Sequence, residues 1–105
     1  MNIPMILLAA DVDAGVFKKP ADGIWKTPFW SVGDGFSLRA VARPPVNDMA
    51  VVDFEWSPHE PSQQDARLLS QERVDEVYRN LEFRVFLHYH LAYGFTLDKT
   101  MGVRT

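Results

Sequence analysis

The chain predicts an α+β fold: a small, mainly antiparallel sheet over residues 3–56, with a long C-terminal helix, about 70–93, packed on one face. Three observations carry this expectation. Alternating apolar and polar residues dominate the first half, helical spacing dominates the second, and Ser57-Pro58-His59-Glu60-Pro61-Ser62 separates the two. Neither half holds enough apolar material to stand alone, so residues 1–105 read as one domain. At 47% apolar and 12% aromatic, that domain has enough for one core without a disulfide or a metal.

Met5–Ala9 reads as the first strand. The apolar start lacks a basic leader region, Asp11 and Asp13 follow at once, and the run is far short of the ~20 residues that span a membrane. Ala14–Gly23 is a loop. Ile24–Trp30 is the second strand, with Pro28 marking an edge position or a bend. Gly33-Asp34-Gly35 lacks the lysine and further glycine of a phosphate loop and reads as a turn.

Phe36–Arg43 and Ala50–Trp56 form the best hairpin. Phe36, Leu38, Ala40 and Ala42 alternate with Ser37, Arg39, Val41 and Arg43, while Val52, Phe54 and Trp56 alternate with Asp53 and Glu55. Pairing Arg39 with Asp53 or Glu55 sets apolar against apolar and places opposite charges together. The connection runs from Arg43 to Asp48, because adjacent prolines cannot donate to a ladder.

In the second half, Ser62 with Asp65 three residues on resembles a capped helix start, and Ser70 is a second cap. From there Val74, Val77, Tyr78, Leu81, Val85, His88, Tyr89 and Ala92 fall on one face, Asp75 and Arg79 are spaced for an i,i+4 pair, and Gly94 ends the helix. The stretch from Phe83 to Leu97 also fits a strand, since every odd position in it is apolar. The helix reading is preferred: β-branched residues are few and no turn signal interrupts Asn80–Glu82. It leaves Phe83, Phe86, Leu87 and Leu91 pointing away from the first face, to be covered by the sheet and something else, or by a second subunit. A short strand at Phe95–Leu97 follows.

Charge narrows the function classes. Residues 53–82 carry eight acids against three arginines, within a chain of net charge −3. That acidic middle argues against direct nucleic-acid binding, which needs a basic patch, and fits a basic protein partner, mimicry of a phosphate backbone or a solvated face. With no cysteine, thiolate catalysis and a Cys-ligated zinc site are excluded, and a cytoplasmic setting is expected. No cofactor motif and no serine-nucleophile signature is present.

The expectation is a small non-enzymatic factor that binds another protein stoichiometrically, of the inhibitor, adaptor or immunity type found in phages and mobile elements. Trp25, Trp30, Glu76, Phe83 and Phe86 are the candidate partner surface, because tryptophan and phenylalanine bury much area at low entropic cost. A homodimer is the other way to cover them. The alternative is a small metal-dependent enzyme or ligand-binding domain built on His59, His88 and His90. That reading needs the strand, where His88 and His90 share a face; on a helix they diverge.

Overall fold

The computed structural model describes residues 15–95: strands β1 (Trp25–Lys26), β2 (Trp30–Gly33), β3 (Phe36–Val46) and β4 (Met49–Ser57), then helices α1 (Gln63–Ala66) and α2 (Gln71–Tyr93). The order is that of an α+β fold, a small antiparallel sheet followed by a long helix. Central β3 pairs with β4 on one side and with β1 and then β2 on the other. The first strand expected, Met5–Ala9, lies outside the described residues.

Two tight turns set the registers. Asp34 and Gly35 both take positive φ (54° and 81°) between β2 and β3, and Asn47 and Asp48 (52° and 61°) do the same between β3 and β4. Two consecutive positive φ values match the right-handed twist of the flanking strands, and Asn, Asp and Gly tolerate them best. The second turn corrects the expected Arg43–Asp48 connection: β3 continues through Pro44 and Pro45 to Val46. A register shift absorbs the prolines between Arg43 and Val46, and the Tyr89 hydroxyl fills the gap they leave. It donates to the Arg43 carbonyl at 2.7 Å and accepts from the Val51 N–H at 3.0 Å. The helix thus supplies a rung that proline removes from the sheet.

The expected single strand Ile24–Trp30 is two strands. Trp25 pairs with Ala42 and Trp30 with Leu38, so one extra residue is accommodated around Pro28. Thr27 holds the break together. Its N–H donates to the Ala40 carbonyl at 3.0 Å, and its hydroxyl accepts from the Ala40 N–H at 2.9 Å.

The β3–β4 register pairs Arg39 with Glu55, one of the two registers anticipated. The side chains meet at 2.5 Å, and Arg43 reaches Asp53 diagonally at 3.0 Å. Phe36, Leu38, Ala40, Ala42 and Val52 line the buried face. Val41, on the opposite face, is also buried, so that face is not purely a polar one.

Helix α2 runs without interruption from Ser70, whose hydroxyl accepts from the Arg73 N–H, to Gly94 at φ 75°. The strand alternative for residues 83–91 is thereby excluded. In α1 the Ser62–Asp65 capping box forms in both directions. Gln71, rather than Arg79, donates to the Asp75 carboxylate. Val77, Leu81 and Val85 are fully buried against the sheet, each contributing roughly 1.5–3 kcal/mol. Phe95 has no strand conformation, and Thr96 and Leu97 lie outside the described residues.

Candidate functional site

Trp25 leaves the expected partner surface, because it is a core residue, only 6% exposed. Its indole stacks on His88 with ring centroids 4.5 Å apart and planes 6° from parallel. The indole N–H donates to the Val16 carbonyl at 2.8 Å, and the His88 Nδ1–H donates to the next carbonyl, Phe17, at 3.0 Å. Two stacked rings thus hold consecutive carbonyls of the Gly15–Phe17 segment against α2. His88 is fully buried, and its Nε2 has no hydrogen-bond partner among the described residues. Desolvation pushes its pKa below the usual 6.5, only partly opposed by the bond to Phe17.

The three histidines do not meet. On the helix His88 points inward, whereas His90 is exposed and binds the Phe95 carbonyl at 2.6 Å. His59 is exposed beyond β4, edge-on to Phe36. Among the described residues, no group of three or more His, Asp or Glu side chains could hold a metal ion.

The other expected surface residues lie on or beside the outer face of α2. At 100° per residue Glu76, Phe83, Leu87 and His90 fall within an arc of about 60°, bordered by Phe86. Phe83 is 44% exposed and Leu91, further round, 47%; Phe86, Leu87 and Glu76 are half-buried. Arg73 approaches Glu76 at 3.3 Å on this helix. Trp30 is half-buried at the flank, where the Arg84 guanidinium lies 4.9 Å from its ring. Phe83 and Leu91 are therefore the outward apolar residues of this helix, edged with charge, whereas Leu87 packs against the core.

A groove elsewhere was not anticipated from sequence. An open groove of about 710 Å³ follows β4, lined by Phe29, Arg39, Asp53, Phe54, Glu55, Trp56, Ser57, Glu60 and Tyr78. Phe54 and Trp56 meet the Tyr78 ring edge-on at 4.9 and 6.5 Å, and the Arg39 guanidinium lies 4.4 Å from the Phe29 ring. Burial, then Glu60, then Glu82 raise the Tyr78 phenol pKa above its usual 10.0, and of the two carboxylates Glu60 lines the groove. The signal was present in the alternation of Asp53 and Glu55 with Phe54 and Trp56. It could not be separated from ordinary hairpin patterning without knowing that β4 pairs on one side only.

Among the described residues no helix is long and apolar enough to cross a membrane. Compared with protein-family models, curated proteins and solved structures, the chain matches none.

Proposed function

We propose that this chain is a small non-enzymatic factor that binds another protein stoichiometrically in the cytoplasm, as an inhibitor, adaptor or immunity-type protein, through the outer face of α2. The observation that carries the reading is the exposed Phe83, with half-buried Phe86 and exposed Leu91, on a helix whose inner face is already satisfied by the sheet. Outward apolar side chains of this kind, edged by charge, are what protein partners cover. Phe83 and Phe86 act as anchors, with Trp30 and Glu76 at the margin. Trp25 has no part in the contact.

Site-specific photo-crosslinking tests this directly. A benzoylphenylalanine at position 83, in cells of the source organism, should give one discrete adduct with a second protein, and none when placed at exposed Asp34. Adducts only with the chain itself would replace the partner by a homodimer. No adduct at position 83 would end the proposal.

A further inference from the structure

We infer that the free edge of β4 is a binding site for an extended, lysine- or arginine-bearing peptide segment, which adds to the sheet as a further strand. This surface is distinct from the outer face of α2 and does not depend on it.

The backbone argument begins at Thr27. Ala40 spends both its N–H and its carbonyl on Thr27, on the side of β3 away from β4. In an antiparallel ladder the residue opposite, Phe54, then directs its own N–H and carbonyl away from β3. Two residues on, Trp56 does the same. Among the described residues β4 pairs only with β3, so these groups face the groove. An added strand would satisfy them, the usual mode of peptide capture at a sheet edge.

Charge selects the occupant. Groove residues Asp53, Glu55 and Glu60 are acidic. Asp53 is paired with Arg43 and Glu55 with Arg39, which also stacks on Phe29. Glu60 is thus the groove carboxylate without an ion-pair partner among the described residues. The acids lie on both sides of the added strand: Asp53 and Glu55 project from one face of β4, and Glu60 stands near Tyr78 on the other. Side chains of an added strand alternate between those faces, so basic residues on the inner face meet Glu60, while those on the outer face meet Asp53 and Glu55 alongside Arg43 and Arg39. On the inner side, the rings of Phe54, Trp56 and Tyr78 also favour a cation. A second copy fits poorly. Antiparallel pairing of β4 with itself about Phe54 sets Asp53 opposite Glu55 twice, and like charges directly opposed are destabilising.

The test is a ¹⁵N–¹H NMR titration of the whole protein with an acetylated, amidated peptide alternating lysine and threonine, nine residues long to match β4. Saturable shifts should concentrate at the amides of Phe54 and Trp56 and weaken steeply with salt. Glu60→Gln, at an exposed side chain, should weaken binding by about three- to fivefold, the scale of one exposed charge pair. A glutamate–threonine peptide should produce no shifts. The inference is overturned if the acidic peptide binds as well, if neither peptide shifts the Phe54 and Trp56 amides, or if those amides shift with protein concentration alone, which would mean self-pairing.

Discussion

The two edges of the sheet are built in opposite ways. On one side β3 is flanked by a two-residue and a four-residue strand, with Pro28 and an extra residue between them. On the other it is flanked by nine continuous residues with no proline. A proline and a bulge blunt an edge by removing donors and bending the chain away; acidic side chains blunt it by repelling another copy. The first device makes an edge unusable to every partner. The second leaves it open to one of opposite charge, and a groove lies along it. On the broken edge Trp25 works inward against His88, whereas Phe54 and Trp56 on the continuous edge are half-buried and line the groove.

The largest expected effect separates these roles. Trp25→Ala should destabilise the fold by about 3–5 kcal/mol, the range for emptying a buried aromatic site. It removes the stack on His88 and leaves the Val16 carbonyl without its donor. Trp56→Ala, at the half-buried edge, should cost clearly less. Urea unfolding of both variants checks the order, and equal or reversed losses would show that the two edges are not built differently.

The hairpin was the most legible part of the sequence, because two independent patterns, apolar alternation and opposed charges, agree only near the observed register. Helix α2 was legible from its caps, Ser70 and Gly94, despite the competing strand pattern. What stayed hidden was non-local. Pro44 and Pro45 read as a loop because the hydroxyl that lets a strand pass through them comes from Tyr89, far along the chain. Pro28 read correctly as an interruption, but nothing adjacent reveals that Thr27 would hold both sides of the break to Ala40. Trp25 was misplaced on the surface for a related reason. Which side of an edge strand is covered depends on where α2 lies, and the partner that fixes it there is His88. The outer helix face was read more directly, because helical phase alone puts Phe83 opposite Val74, Leu81 and Val85.

Acid should loosen the broken edge before the continuous one. His88 has a lowered pKa in the folded state, so below about 6.5 the unfolded chain takes up a proton more readily than the folded chain does. Stability is therefore fully present above that pH and is lost progressively as pH falls toward the lowered value. The protonated ring would bring a second N–H into a site enclosed by Trp25, Tyr89 and Tyr93. Hydrogen exchange should show protection lost first at the Gly15–Trp25 segment, and His88→Phe should flatten that part of the pH dependence. Earlier loss at Asp53 and Glu55, whose amides face β3, would assign the acid-sensitive step to β4 instead.

The smallest expected effect bears on why β4 carries acids at all. Arg39 and Glu55 make the shortest side-chain ion pair of the sheet, yet their side chains are 25% and 42% exposed. Exposed pairs contribute about 0–1 kcal/mol, since solvent screens them and holding two long side chains together costs entropy. Arg39 also keeps its contact with Phe29 when the carboxylate is neutralised. Glu55→Gln should therefore lower stability by less than about 1 kcal/mol in urea unfolding, with an unchanged slope. A loss beyond about 2 kcal/mol would make the carboxylate a structural requirement of the hairpin, and its charge would need no partner to explain it. A small loss leaves the acids of β4 with a role that stability does not account for: setting which chains are admitted to the open edge of the sheet.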